Sequence, residues 1–256
     1  MYYKSKKISF YYEKVGESKN TIIILPGWGD TRKTFDFLIK NLKNNYTIYI
    51  VDYPNFGNSK PLKEELTIYD YTDAIKKLIK KEKIKNPNII AHSFGGRITS
   101  ILVGKYKIEV NKIILIDVAG IKRRKKLVIF IKEKIYKLLK KCLLIFPKNK
   151  KEKYKQKLLT LFSSKDYNDI PSIMKKTFQN IIKEDLRKYY KKIENETLII
   201  WGEKDIDTPL KDGIYLRKNI KNSALITYKN SSHFSYLDYP IKTQKIIESF
   251  FDIKNP

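Results

Sequence analysis

The chain has 256 residues, which suits one sizeable domain, and its net charge of +27 would normally indicate a nucleic-acid or anionic-membrane partner. Only six of the 54 basic residues are arginine, however, whereas nucleic-acid contacts favour the planar arginine fork. Because the many lysines accompany many Ile, Asn and Tyr residues, all with A/T-rich codons, a base bias explains the charge and we expect no nucleic-acid partner.

Cysteine content and the absence of long apolar runs indicate the compartment. The single cysteine, Cys142, excludes an intrachain disulfide and fits a reducing environment. The residues after Met1 lack the continuous apolar core of a signal peptide, and no apolar run approaches the length of a membrane span. The sequence therefore predicts a soluble, cytoplasmic protein.

The first half of the chain alternates between strand-like and helix-like segments. Weak alternation over residues 4–14 predicts an edge hairpin, and the β-branched run 21–25 predicts a strand covered on both faces. Helices are predicted over residues 31–44, 67–85 and 97–106, and further strands over 46–52, 88–92 and 112–117. Strands and helices that alternate at this spacing are typical of a mostly parallel sheet with helices on both faces.

The alternation stops after Gly120 and the strand pattern resumes at Thr197. Residues 121–193 offer helical patterns only, so we predict a helical insertion there, between core segments 1–120 and 194–256. Its first helix, 127–146, has an apolar stripe with lysines over much of the remaining surface, and 162–167 is a second segment of interest. We expect the stripe to pack on the sheet domain. The alternatives are a roof over an acyl or ring pocket and contact with a membrane surface.

A candidate nucleophile lies where the apolar run 88–92 meets the next helix. Ser93 has small residues two positions before and after it, Ala91 and Gly95. Strand, sharp turn and helix in this order form a nucleophile elbow, in which side chains larger than a methyl group at those two positions would collide. The pattern A-x-S-x-G is a relaxed form of the commoner G-x-S-x-G.

A serine needs a base, and the base needs a third group to orient it. The chain has two histidines, and His92 is badly placed because neighbouring side chains in an extended segment point to opposite faces. His233, in a polar loop after the strand-like run 224–228, is therefore the predicted base. Three aspartates near strand ends are candidates for the acid, and spacing alone does not separate them: Asp117, Asp205 and Asp207.

With these motifs the chain resembles the α/β-hydrolases of the capped, single-domain kind, over nearly its whole length. Five segments match the family's patterns in the family's order: 25–29 (LPGWG), 52–59 (DYPNFGNS), 91–96 (AHSFGG), 201–205 (WGEKD) with Pro209, and 232–234 (SHF). The departures are Pro26, Asn55, Ala91 and Ser232, where the family usually has His or Gly, and none removes a catalytic atom.

The resemblance implies an α/β-hydrolase fold with an inserted helical cap. It implies Ser93, His233 and Asp205 as the triad, and the backbone amides of Trp28 and Phe94 as the oxyanion hole. Asp117 stays open as the acid because some hydrolases of this fold supply it from the strand after the elbow helix. No metal or organic cofactor is implied, and no Cys/His cluster supports one.

The leading functional hypothesis is hydrolysis of a small-to-medium carboxylic ester through an acyl-enzyme. Carbon–carbon bond hydrolases of ring-cleavage dienoates typically carry a tryptophan just after the histidine motif and a glycine-richer oxyanion loop. This chain has Phe234 and the sequence Pro-Gly-Trp-Gly there. A hydrolase-fold small-molecule receptor with an intact triad is another alternative, and a membrane-lipid hydrolase is motivated only by the basic cap.

Overall fold

The computed structural model describes residues 1–5, 7–122 and 171–253. The chain divides into two compact units, one made of Met1–Lys122 with Asn180–Pro256 and the other of Arg123–Gln179. The predicted helix 127–146, the segment 162–167 and Cys142 lie outside the described residues. The helical cap over 121–193 and its boundaries therefore stay a prediction.

The described residues form an eight-stranded sheet, and most of its strands lie where the sequence predicts them. The strands are β1 (Tyr2–Lys4), β2 (Ser9–Val15), β3 (Thr21–Leu25), β4 (Thr47–Asp52), β5 (Asn88–His92), β6 (Ile113–Ile116), β7 (Thr197–Gly202) and β8 (Ser223–Tyr228). Their order is β1-β2-β4-β3-β5-β6-β7-β8. The β1–β2 and β2–β4 pairs are antiparallel, and all the others are parallel. The predicted α/β class with a mostly parallel sheet is confirmed.

Helices follow most of the parallel strands. They are α1 (Asp36–Leu42), α2 (Ile68–Lys81), α3 (Phe94–Gly104), α4 (Ser172–Ile182), α5 (Arg187–Tyr190), α6 (Leu210–Asn219), α7 (Ser235–Asp238) and α8 (Pro240–Phe250). The predicted helix 31–44 begins as a 3₁₀ turn, Arg32–Phe35, before α1. Helix α3 begins at Phe94, immediately after the serine, rather than at Arg97. Among these described helices, none has both the length and the apolar character that a membrane crossing requires.

The sheet is buried on both faces because its central strands are apolar at successive positions. In β3, Ile23 and Leu25 pack into one apolar cluster with α2 and α3, whereas Ile22 and Ile24 pack into a second with α1 and α8. Side chains that alternate between two covered faces explain the continuous apolar run. This packing holds the strands rigidly, so the loops at their carboxyl ends start from fixed positions. In open α/β sheets that edge is where ligands bind.

Candidate active site

Ser93 occupies a strained turn between β5 and α3. Its backbone has φ +45° and ψ −106°, a combination that costs energy and persists only when the surroundings enforce it. The amide of Ser93 donates to the carbonyl of Ile116 over 3.1 Å, and its own carbonyl accepts from the amides of Ala119 and Gly96. The main chain around the serine is therefore fixed by the neighbouring strand β6 and by the first turn of α3.

Close approach of strand and helix explains the small residues at this turn. A Cβ atom on Gly95 would lie 1.9 Å from the carbonyl oxygen of Leu25, and the Gly95 amide donates to the Pro26 carbonyl over 3.0 Å. Ala91, the other small neighbour, is completely buried. The elbow is thus pressed against the end of β3, where the Gly-Trp-Gly loop begins.

Ser93, His233 and Asp205 form a continuous hydrogen-bonded chain. Nε2 of His233 is 2.9 Å from Oγ of Ser93, and Nδ1 of His233 is 2.8 Å from Oδ2 of Asp205. Because a carboxylate can only accept, the imidazole proton belongs on Nδ1, and Nε2 presents its lone pair to the serine hydroxyl. This tautomer is the one that general-base activation of the serine requires.

The Asp205 carboxylate is fully engaged. Its Oδ1 accepts from the amides of Asp207 and Thr208 over 2.8 and 2.9 Å, and the Thr208 hydroxyl donates to Oδ2 over 2.6 Å. The loop is held in turn by Trp201, whose indole N–H donates to the Thr208 carbonyl over 2.7 Å. These bonds leave Asp205 in one orientation, facing His233.

Asp205 and His233 each shift the pKa of the other so that its charged form is favoured. Burial of Asp205 alone would raise its pKa, but hydrogen bonds from His233 and Thr208 outweigh burial, so the pKa is lowered from 3.8. Burial of His233 would lower its pKa, but the hydrogen bond and charge of Asp205 outweigh it, so the pKa is raised from 6.5. The protonated form of His233 is thereby stabilised.

Asp117, the alternative acid, hydrogen-bonds to main-chain amides rather than to the imidazole. Its Oδ1 accepts from the Gly202 amide over 2.8 Å, and its Oδ2 accepts from the Ser235 amide over 3.1 Å. Burial raises its pKa to about 6, against the opposing effect of these hydrogen bonds. Asp117 thus links the end of β7 to the loop that carries His233.

The two residues predicted to supply oxyanion donors lie side by side. Phe94 is the first residue of α3, where helix amides have no acceptor within the helix. Trp28 lies in a turn closed by the Asp30 amide, which donates to the Gly27 carbonyl over 3.2 Å. The rings of Trp28 and Phe94 meet edge to face, with centroids 5.4 Å apart. The anion-stabilising role of their amides stays a prediction.

Sequence analysis missed the supporting residues around this chain of hydrogen bonds. Thr208 supports Asp205, as described above. Asp30 is buried and accepts from the Tyr236 hydroxyl over 3.0 Å and from the Thr31 amide over 3.0 Å. An acidic residue directly after the Gly-Trp-Gly loop is a signal in the sequence. Its partner Tyr236 could not be identified from spacing.

One group of side chains has the composition of a metal site. Asp205, Asp207 and His233 each offer a ligand atom, and these atoms lie within 4.8 Å of one another. However, Nδ1 of His233 and both oxygens of Asp205 already take part in hydrogen bonds. A cation at this place would have to displace the bonds that orient the imidazole, so the donor set does not fit a resident metal.

A strained serine at a strand-to-helix turn, on a mostly parallel sheet, defines the class of protein, and comparison with known proteins agrees. A family model described as "alpha/beta hydrolase fold" matches residues 20–240. The chain belongs to the α/β-hydrolase family, and it is a hydrolase enzyme.

Particular relatives are distant. A 107-residue stretch, 41% of the chain, is 31% identical to a "Probable serine hydrolase" of Drosophila melanogaster, and it spans only 32% of that protein. The chain is 24% identical over 233 residues to the pimeloyl-[acyl-carrier protein] methyl ester esterase of Neisseria meningitidis (serogroup C), covering 85% of this chain and 88% of the esterase. The crystal structure of MGS-M2, an alpha/beta hydrolase enzyme from a Medee basin deep-sea metagenome library, superposes with a TM-score of 0.75. It is 22% identical and covers 100% of this chain and 98% of its own.

Proposed function

We propose that the protein hydrolyses a small-to-medium carboxylic ester through a Ser93–His233–Asp205 triad and an acyl-enzyme. The observation that supports this most directly is the unbroken chain of hydrogen bonds from Ser93 Oγ to Asp205, with distances of 2.9 and 2.8 Å. The three side chains follow the carboxyl ends of β5, β7 and β8, the edge of an open α/β sheet where ligands bind.

In the first half of the reaction, Ser93 Oγ attacks the ester carbonyl carbon while Nε2 of His233 takes the hydroxyl proton. Asp205 accepts the Nδ1 hydrogen bond throughout and stabilises the imidazolium. The carbonyl oxygen becomes negative and accepts hydrogen bonds from the amides of Trp28 and Phe94. Each such donor is typically worth about 3 kcal/mol in the transition state.

In the second half, the tetrahedral intermediate collapses and the alcohol leaves with the proton from His233. Nε2, now free, takes a proton from a water molecule as that water attacks the acyl-serine carbonyl. Collapse of this second intermediate breaks the ester bond to Ser93 and returns the proton to its Oγ. The products are a carboxylic acid and an alcohol, and no metal or cofactor takes part.

Covalent labelling tests the nucleophile. A fluorophosphonate should label Ser93 alone, because only an activated serine attacks phosphorus readily. Ser93→Ala should abolish labelling, and His233→Ala should nearly abolish it, with both variants checked for folding by circular dichroism. Labelling that persists in Ser93→Ala would refute the assignment.

A substrate panel tests the reaction. The name of the Neisseria relative, a methyl ester esterase, supports an ester over a carbon–carbon bond. We expect turnover of nitrophenyl esters, with a preference for one acyl length, and none of a ring-cleavage dienoate. Faster cleavage of the dienoate would support a carbon–carbon bond hydrolase. Tight ligand binding with negligible turnover of every ester would favour the receptor alternative.

A further inference from the structure

His92, the neighbour of the serine in the chain, is buried in a position that the reaction described above does not use. Its side chain is 1% exposed, and its Nε2 lies 2.8 Å from the backbone carbonyl oxygen of His233. A carbonyl can only accept, so Nε2 of His92 carries a proton and donates it. The residue before the nucleophile thus hydrogen-bonds to the main chain of the residue that serves as base.

The same imidazole touches the loop that carries Trp28. Nδ1 of His92 lies 3.4 Å from Oδ2 of the buried Asp30. A Cβ atom on Gly27 would lie 2.9 Å from that Nδ1, so the glycine is required for the loop to pass the ring. The centroid of the His92 ring also lies about 5 Å from those of Phe234 and Tyr236. His92 therefore lies between residues 27–29, the oxyanion or Trp28 loop, and residues 229–236, which carry His233 and are called the base loop below.

Other hydrogen bonds anchor the main chain on either side of His233, and one of them joins the Lys204 amide to the Ser231 carbonyl over 2.8 Å. Asp117 accepts from the Ser235 amide, and Asp238 accepts from the Ser232 amide over 3.2 Å. Among the hydrogen bonds of the described residues, the bond from His92 is the one that holds the peptide group of His233 itself. Tyr236 then joins the same loop to Asp30 through its hydroxyl. His92, Asp30 and Tyr236 thus join the two loops, whereas Asp117 joins the base loop to the end of β7.

We propose that His92 is a positioning residue that fixes His233 and the Trp28 loop relative to each other, so that the base and the oxyanion donors are aligned on the same carbonyl group. The proposal rests on the proposed ester hydrolysis. A small displacement of the base costs rate because proton transfer requires it within hydrogen-bond reach of the serine, and about 1 Å of misplacement can cost roughly 100-fold. Substrate binding need not change, because His92 is buried and the displacement affects the reacting groups.

The decisive variant is His92→Phe, which keeps a ring and loses the donor. The matched control is Tyr46→Phe, which likewise keeps a ring and loses a buried donor to a main-chain carbonyl, that of Phe251. Tyr46 precedes β4, at the opposite edge of the sheet from the site. Rates are measured well below the melting temperature of the variant and divided by the amount of Ser93 that can be labelled. We expect kcat of His92→Phe to be roughly 10- to 100-fold below that of wild type, and its KM to stay within about twofold of the wild-type value. Tyr46→Phe should keep wild-type kcat.

Two further measurements separate positioning from general destabilisation. His92→Gln retains an amide donor and should recover most of the lost kcat, even if its melting temperature stays as low as that of His92→Phe. In a double-mutant cycle, Asp30→Asn should add little to the loss in His92→Phe, because both substitutions break one linkage. Additive losses would overturn the connection to the oxyanion loop.

The outcome for His92 is distinguishable from the outcome for the triad. Wild-type kcat in folded His92→Phe, together with an inactive Ser93→Ala, would overturn the positioning role and leave the proposed reaction standing. An active Ser93→Ala would instead overturn the proposed reaction. Equal losses of kcat in His92→Phe and His92→Gln would also contradict the proposal, because the retained donor would then have no effect.

Discussion

Two buried aspartates at the ends of neighbouring strands, Asp205 after β7 and Asp117 after β6, have opposite electrostatic character. The pKa of Asp205 is lowered, whereas burial raises that of Asp117 to about 6. Both carboxylates accept hydrogen bonds from main-chain amides. The difference is the imidazole of His233, which can become positive and lies within hydrogen-bond distance of Asp205. In the described part of the chain, no side chain that can carry a positive charge lies within hydrogen-bond distance of Asp117.

This comparison shows how the same residue type at the same edge of a sheet acquires different roles. A carboxylate next to a group that can become positive gains from being charged, and it can orient and stabilise that group. A carboxylate that faces no group able to become positive within hydrogen-bond distance gives up hydration for structural links, here between the ends of β6 and β7 and the base loop.

The largest expected effect is on turnover in Asp205→Asn. Losing the carboxylate leaves the wrong imidazole tautomer, a change that costs on the order of 10⁴ in the serine-protease template, and we expect a similar loss in ester turnover. Asp207→Asn is the matched control, because it lies in the same loop and likewise replaces a carboxylate by an amide; its turnover should fall far less than that of Asp205→Asn. A full loss in folded Asp117→Asn, with Asp205→Asn nearly active, would move the acid to the end of β6.

A second prediction concerns the pH dependence of stability in Asp117→Asn. Because the folded pKa of Asp117, about 6, exceeds its ordinary value of 3.8, its neutral form favours the folded state. That contribution is fully present below pH 3.8 and is lost as the pH rises through 6. The free energy of unfolding of wild type, relative to that of Asp117→Asn, should therefore fall by about 2 kcal/mol from pH 4 to pH 7.

Urea unfolding of both proteins at several pH values measures this difference. Asp205, whose pKa is lowered, contributes stability above pH 3.8 and loses it only as the pH falls through its folded pKa. The interval between pH 4 and pH 7 therefore separates the two aspartates. A difference that stays constant over this interval would show that Asp117 is ionised throughout it.

The smallest expected effect is a shift of the pH–activity curve. His233 must be neutral to act as base, and Asp205 raises its pKa above 6.5, so kcat/KM should rise with a midpoint above pH 6.5. In Asp205→Asn the opposing effect of burial should dominate, and the midpoint should move to lower pH. The rate of fluorophosphonate labelling against pH measures both proteins even where turnover is weak. An unchanged midpoint would mean that Asp205 does not act on His233 in solution.

The sequence predicted the alternation of strands and helices, and hence the parallel sheet, because apolar periodicity and turn residues are local properties. The β-branched run of β3 indicated a strand covered on both faces, and the small residues around Ser93 indicated a tight turn between strand and helix. Neither inference required knowledge of distant residues. The same local signals nominated Ser93 and His233. They could not choose among the three aspartates. Spacing along the chain indicates to which side a side chain points at the end of its strand, but it does not give the distance to a group on another strand.

The tertiary structure decided which groups meet. The sheet brings Ser93 and His233 within 2.9 Å although they are 140 positions apart, and it places Asp205, rather than Asp117, at the imidazole. It also turns His92 away from the serine and toward the main chain of His233. Such partners depend on strand order, on the register of the sheet and on how loops pack at its edge, which are set by the burial of the whole core and have no signature in any short stretch of sequence.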